Sequence, residues 1–389
     1  MNNSVSRKKI LFVSTVPETI EAFLLPFADK LREDNWIAHA MANGISEDSS
    51  LTSHFDKLWD VPFSRNLGSI VFSLPVNVRQ IKRILDKEKY TIIHTHTPIA
   101  SFVVRFAAGR MEKPIRSKII YTAHGFHFHD LGGKLTNTLY LEAEKLGARW
   151  TDILIVINEE DYQSAISKSM VAVEKVRRLP GIGVDTLLFD PGRYNEREVE
   201  EEKGELGIPE RTKIFLMPAE FIPRKRHIDA IRAMELLARK DVCLLFAGTG
   251  KLEDSLKKNV KQRDMDEQIR FLGFRDNMPL LMKISAAVIL PSQQEGLPRV
   301  LLEAMSMNTP AIATDIRGNR ELLQNGCGIL VPPRSPKYLA EAISWILENG
   351  CKARNMGKKG RPIVLSRYDQ EIVLSKQMEI YYELIHKDN

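Results

Sequence analysis

Two glutamates eight residues apart, Glu295 and Glu303, lie between two apolar runs, Ala286–Leu290 and Pro310–Thr314. If the spacing is helical throughout, they stand about 12 Å apart. That is too far for a close acid/base pair. Two carboxylates at that distance can instead grip two hydroxyl-bearing parts of one long ligand, such as a sugar and a ribose. The bland alternative is a surface helix with two solvated acids, since acids are common in first helical turns. A second candidate is the cationic run Arg224-Lys225-Arg226, just ahead of a helix expected from Ile228. Cations beside the positive end of a helix dipole are unfavourable alone, so the run favours a bound anion. The third candidate is histidine. Five of the nine histidines, His94, His96, His124, His127 and His129, follow two apolar runs, and His94 and His96 share a strand face. Such imidazoles either ligate a metal such as zinc or serve as polar loop and core groups; only Asp130 supplies a nearby carboxylate.

These residues need short buried strands alternating with amphipathic helices. Around the glutamates, a strand ends at Pro291-Ser292 and the polar loop Gln293-Gln294-Glu295-Gly296 follows. Leu297-Pro298 then opens a helix, with Pro298 in the first turn, where no N–H partner is needed. Val300, Leu301, Ala304 and Met305 form its apolar face. The unit reads strand–helix–strand, the building block of parallel, doubly wound sheets. Ligands of such sheets bind beyond the carboxyl ends of the strands. A loop such as Gly296-Leu297, entering a helix start, offers backbone N–H groups to a diphosphate. The same alternation gives strands at Lys9–Ser14, Asn35–Met41, Thr91–Thr95, Lys118–Ala123, Asp152–Ile157, Lys213–Met217 and Val242–Ala247. Pro17–Ile20 reads as a loop, and Glu21–Asn35, Asn158–Met170 and Tyr368–Ile385 as helices. Arg65–Tyr90 is amphipathic and basic. It either packs on a sheet with a solvated basic face or lies on anionic lipid.

A chain of 389 residues defaults to two domains with sizeable cores. The Gly- and Pro-bearing segment Leu179–Asp185 suits the crossover between them. The expected division is residues 1–189, joined by the terminal helix 367–389, and residues 190–366. A net charge of +6 fits an anionic ligand or membrane surface, whereas scattered cations interleaved with acids argue against nucleic acid. Cys243, Cys327 and Cys351 are distant and odd in number, which points to a reducing cytoplasm. The start, MNNSVSRKK then ILFVS, is too short for a secretory leader, and no apolar run reaches membrane-spanning length. Asp264-Met265-Asp266 imitates a metal-binding DxD but sits in a charged surface run. Gly248-Thr249-Gly250-Lys251 lacks the longer phosphate-loop pattern.

Glu295-x7-Glu303, followed by Asp315-Ile316-Arg317-Gly318-Asn319-Arg320-Glu321, resembles the C-terminal signature of family-4 retaining glycosyltransferases of the GT-B fold. Lys225 and the segment His124-Gly125-Phe126-His127 are similar to further parts of that pattern. The resemblance implies an α/β protein of two Rossmann-like domains facing a cleft, with a C-terminal helix crossing back to the first domain. It implies a nucleotide-diphosphate-sugar donor, foremost a UDP-sugar, with an N-acetylhexosamine as candidate sugar. No metal or other cofactor is implied. His124, Glu295 and Lys225 take the catalytic positions. Glu220, Arg224, Lys225, Gly248, Gly250, Phe274, Arg275, Glu295, Gly296, Leu297 and Glu303 take the donor side; Thr15, Pro17, His94, His96 and His127 take the acceptor side. Two departures stand out. The first loop, Thr15–Ile20, lacks the family's glycine pair, and Glu220 occupies a position where the family carries Arg. Glu21–Phe27 resembles members that build bacterial capsule and other surface polysaccharides. Their acceptor is a polyprenyl-diphosphate-linked sugar at the inner face of the cytoplasmic membrane. Two other classes compete: a nucleotide-sugar binder without transfer, and a metal-dependent hydrolase using His94, His96 and His124.

Overall fold

The computed structural model describes residues 7–64, 67–111, 117–128 and 133–386, except the side chains of residues 47 and 67–73. The contacts divide the chain into two compact units, Met1–Ile182 with Val373–Asn389, and Gly183–Ile372.

The first unit holds a parallel sheet of seven strands: β1 (Lys9–Val13), β2 (Ile37–Ala42), β3 (Lys57–Asp60), β4 (Ile92–Thr95), β5 (Lys118–Ala123), β6 (Ile153–Val156) and β7 (Val176–Arg178). Their order is β3-β2-β1-β4-β5-β6-β7. β4 and β6 are buried throughout, as strands covered by helices on both faces must be. The second unit holds β8 (Lys213–Pro218), β9 (Val242–Ala247), β10 (Ile269–Phe271), β11 (Ala287–Leu290), β12 (Ala311–Thr314) and β13 (Gly328–Val331), in the order β10-β9-β8-β11-β12-β13. Each order reverses direction once, between β1 and β4 and between β8 and β11. Those are the topological switch points at which open α/β sheets bind ligands.

The division falls before residue 189. Val184 N–H donates to Tyr368 O (2.9 Å) and Val184 O accepts from Gln370 N (3.0 Å). Val184 and Phe189 are then buried in the second unit's core. The last helix, Gln370–His386, buries Val373, Met378 and Tyr381 in the first unit's core. The basic helix spans Leu67–Glu88, and Ile81, Ile84 and Leu85 are buried against Leu11 and Ile93, so it packs on the sheet. Arg65 and the side chains of Val71 and Phe72 lie outside the described residues. Among the described residues no helix is long and apolar enough to cross a membrane. Asp264 and Asp266 are exposed in a turn.

Candidate active site

At the switch point of the second sheet, two loops are stitched together. The loop after β8 makes a tight turn at Pro223–Lys225, and the chain enters the helix His227–Leu237 through Arg226 in the left-handed region (φ 59°). Gln293 N–H, in the loop after β11, donates to Arg224 O (2.8 Å), and the Arg224 guanidinium donates to Gln294 O (3.2 Å). Across this seam Lys225 Nζ stands 2.6 Å from Glu295 Oε1, and Arg224 Nη1 3.6 Å from Oε2. Glu295 is 8% exposed. Burial raises its carboxyl pKa, but Lys225 and then Arg224 more than offset this and hold it below the usual carboxylate range. Arg317 Nε donates to Glu295 O (3.1 Å) from the first turn of the helix after β12, and Gln293, with its amide oxygen turned to Arg334, accepts from the Arg334 Nε (2.6 Å). A Cβ at position 318 would stand 2.0 Å from Gly296 O, so only glycine allows the helix Arg317–Leu323 this close to the Glu295 loop.

The helix after this loop is shorter than expected. It spans Arg299–Ser306, and Pro298 is an extended N-cap (φ −70°, ψ 117°) rather than a first-turn residue. Glu295 therefore belongs to the loop, and the distance drawn from helical spacing does not apply. Glu303 is on the helix, one turn beyond its partner Arg299 (2.8 Å). Burial lifts the Glu303 carboxyl, and Arg299 only partly counters it. Leu297 packs on the core below.

The remaining donor-side candidates occupy neighbouring strand ends. Gly248 and Gly250 follow β9 with φ of 149° and 153°, and Cβ atoms there would stand 2.3 Å from Ala219 O and 2.7 Å from Phe221 N. What they permit is loop-on-loop contact, sealed by Phe221 N–H donating to Thr249 O (2.9 Å). Gly248 N–H donates to Gly273 O (2.7 Å), which brings the loop after β10 alongside. In that loop Phe274 is exposed, whereas the Arg275 guanidinium is engaged by Glu202 and Asn277 (3.0 Å each). Glu220 is exposed. Arg226 is gripped by Asp229 (2.8 and 2.6 Å), which leaves Arg224 and Lys225 as the cations at Glu295.

At the first sheet's switch point, Thr97 Oγ1 accepts from Thr15 N (2.8 Å) and lies 2.7 Å from Thr15 Oγ1. Pro17 opens the helix Pro17–Phe23 rather than lying in a loop. His94 is buried, with Nδ1 2.6 Å from Tyr381 Oη and Nε2 2.7 Å from Thr122 Oγ1. Both its nitrogens are thus engaged within the protein. His96 lies against it, ring centroids 4.0 Å apart and planes tilted by 39°, and His96 Nδ1 lies 3.1 Å from His124 Nε2. Burial drives all three imidazoles toward the neutral form, His94 down to about 3 and His124 to about 4. His124 is partly exposed and stacks on Phe23 (5.9 Å). His127 is exposed beside Tyr140 (5.2 Å). His129 and Asp130 lie outside the described residues. Among the described residues no group of three or more His, Cys, Asp or Glu is placed to hold a metal ion. Tyr381 and Arg334 escaped the sequence reading, because both reach these sites from elements distant in the chain.

Comparison with known proteins agrees with this geometry. The family described as "Glycosyl transferases group 1" matches residues 198–362, and "Glycosyltransferase Family 4" matches residues 60–188. EpsD of Bacillus subtilis, named as a glycosyltransferase, is 32% identical over 388 residues, covering 98% of each chain. An Escherichia coli UDP-Gal:alpha-D-GlcNAc-diphosphoundecaprenol alpha-1,3-galactosyltransferase is 31% identical over 249 residues, covering 62% of each. The crystal structure of Anabaena Alr3699/HepE in complex with UDP and glucose superposes with a TM-score of 0.79 at 21% identity, over 96% of this chain and 99% of that one. Relatives that span the chain end to end, together with paired parallel sheets whose switch points carry Lys225 with Glu295 and His96 with His124, place it in one family: it is a family-4 glycosyltransferase of the GT-B fold.

Proposed function

We propose that this enzyme transfers a hexosyl group, with retention, from a UDP-sugar to a polyprenyl-diphosphate-linked saccharide during surface polysaccharide assembly. An N-acetylhexosamine is the foremost candidate for the sugar. The observation that carries the donor side is the contact of Lys225 with Glu295, 2.6 Å apart across the switch point of the second sheet. A diphosphate arriving there takes Lys225 as its cation, assisted by the planar fork of Arg224. Glu295, released from Lys225, turns its carboxylate to hydroxyls of the donor sugar. Glu303 holds the ribose. Glu220 carries the wrong charge for a phosphate and faces solvent. With no metal in this reading, N–H groups and these cations stabilise the departing diphosphate.

On the acceptor side, His124 serves the reacting sugar as a neutral imidazole. His96, 3.1 Å away, holds one of its nitrogens and so sets which nitrogen carries the proton. The lipid-linked acceptor rests on the E. coli relative's printed substrate and on the resemblance of Glu21–Phe27. It implies work at the inner face of the cytoplasmic membrane, held peripherally by cations.

Thermal-shift screening against UDP-, GDP- and ADP-sugars tests the donor, since a ligand of the native state raises its apparent stability. Transfer of labelled sugar to a polyprenyl-diphosphate saccharide then tests the reaction. Stabilisation by UDP-sugars without transfer to any lipid-linked acceptor favours the binding-protein reading. Stabilisation by no nucleotide-sugar removes the donor assignment.

A further inference from the structure

A cavity of about 450 Å³ opens in the second unit where β8, β11 and β12 begin. It lies at the amino ends of these strands, so it is separate from the loops of Lys225 and Glu295, which leave the carboxyl ends. Its volume is within the range of small-ligand sites, roughly 300 to 1,000 Å³. Buried Ile214, Met307 and Ile346 give it an apolar floor. Its walls carry Lys203, Lys213, Lys283, Arg354 and Lys358 against one carboxylate, Glu210.

Charge matching elsewhere on this unit makes that imbalance unusual. Arg239 pairs with Asp241 (2.6 Å), Arg263 with Glu235 (2.8 Å), Arg320 with Asp315 (2.7 Å) and Arg361 with Asp190 (3.0 Å). Among the described residues at the cavity only Lys203 has such a match, Glu200 at 2.9 Å. Lys283 donates to Pro191 O (2.9 Å) and Arg354 to Cys351 Sγ (3.2 Å); neither partner is charged. Lys213 and Lys358 form no ion pair among the described residues. Asp241, whose carboxylate feels the Lys213 charge, is held on both oxygens by Arg239 (2.9 and 2.6 Å). Cations around a concave surface repel one another and concentrate anions from solution.

We propose that this cavity is a second anion site, which takes the phosphate group of an ester. The ester is either a soluble phosphate compound or the headgroup of an anionic lipid. Lysines act there as flexible point charges, so recognition depends on charge count more than on shape.

The test uses the full chain carrying Lys225→Ala and Glu295→Gln, so that the donor loops do not mask the second site. Inorganic diphosphate titrated calorimetrically is expected to bind one to one. Adding Lys213→Glu with Lys358→Glu is expected to weaken it at least about tenfold, since two charges are reversed beside the anion. Lys337→Glu, the same change at an exposed residue outside the cavity, is expected to leave binding within about twofold. All three lysines are exposed, so these changes spare the fold. In parallel, the otherwise unaltered chain is sedimented with phosphatidylglycerol vesicles, with phosphatidylcholine vesicles as control. Loss of diphosphate binding in Lys213→Glu/Lys358→Glu supports a soluble ester; loss of phosphatidylglycerol binding supports a lipid headgroup. If that variant keeps both, or the unaltered site binds neither, the proposal is overturned.

Discussion

Replacing Lys225 by alanine separates two roles of one ammonium group. The first is structural. Lys225 and Glu295 have side chains 14% and 8% exposed and stand 2.6 Å apart. Without the ammonium, a buried carboxylate keeps Arg224 as its cation, 3.6 Å away and 47% exposed. Breaking a buried pair costs about 3–5 kcal/mol, and the remaining arginine puts the expected loss near the lower end, about 3 kcal/mol. For a domain of this size that is a fall of roughly 6–12 °C in Tm. The pH dependence has a definite sign. Lys225 and Arg224 hold the Glu295 carboxyl low against the pull of burial, so in the native chain its stabilisation is present above the ordinary glutamate pKa and is lost as pH falls through the depressed value. In the variant burial dominates, and the charged carboxylate destabilises. The deficit should therefore be full well above the ordinary glutamate range and shrink as pH falls through it toward the depressed native value.

The second role, under the proposed function, is catalytic. Loss of one preorganised charge at the leaving diphosphate should lower turnover about 10²-fold or more. Adding Glu295→Gln removes the orphan charge, so denaturant melts should show stability largely restored, while labelled-sugar transfer should stay low. Near-normal turnover in Lys225→Ala would refute the assignment and move the search to Arg317, Arg320 or Lys251. Recovery of both stability and turnover in the double variant would show that Lys225 acts only through folding.

Glu303→Ala should weaken binding of the free nucleoside diphosphate about tenfold by calorimetry, on the scale of one hydrogen bond to a charged group, whereas Glu295→Ala should spare it and impair transfer; equal effects on affinity contradict the division. Gly318→Ala should displace the Glu295 loop, because the new Cβ would meet Gly296 O at 2.0 Å, and turnover matching the native chain contradicts this. His94 and His124, pushed down to about 3 and 4 by burial, resist protons that the unfolded chain accepts below about 6.5. Together they should remove about 2.4 kcal/mol of stability between pH 6 and 5, and urea melts with a flat profile there would show that the imidazoles are not held neutral. Peripheral membrane attachment through cations, each about 1 kcal/mol near anionic lipid, should release the protein in high salt on fractionation; release only by detergent indicates apolar insertion.

The strands that the sequence reveals and those it conceals differ in burial. β4, β9, β11 and β12 are buried along their whole length and stand out as apolar runs. β3, β7, β10 and β13 do not, and these four are the sheet edges. Edge strands face solvent on one side, so Lys57–Asp60 or Val176–Arg178 carries charge where a central strand carries Val or Ile. The first unit ends at Ile182 and not at residue 189 for a related reason. The bridge between Val184 and Asp369 joins residues far apart in the chain, and no local pattern announces it.

The candidate site divides in the same way. Residue types were legible: a carboxylate pair, a cationic turn and histidines at strand ends. Their partners were not. The apolar face Leu301, Ala304 and Met305 is helical, and it invites extension of the helix back through Pro298 to Glu295. Pro298 adopts the extended conformation instead, and the chain turns before the helix begins. That turn leaves Glu295 in a loop, where it meets a lysine 70 residues earlier in the sequence. On a continuous helix the two glutamates would have been bound to one rigid spacing. In the loop, Glu295 answers to Lys225 and Arg224 while Glu303 answers to Arg299. Two carboxylates with separate partners have oppositely shifted pKa values, one depressed and one raised. That difference is invisible in an eight-residue spacing, and the proposed division of one donor between the two carboxylates draws on it.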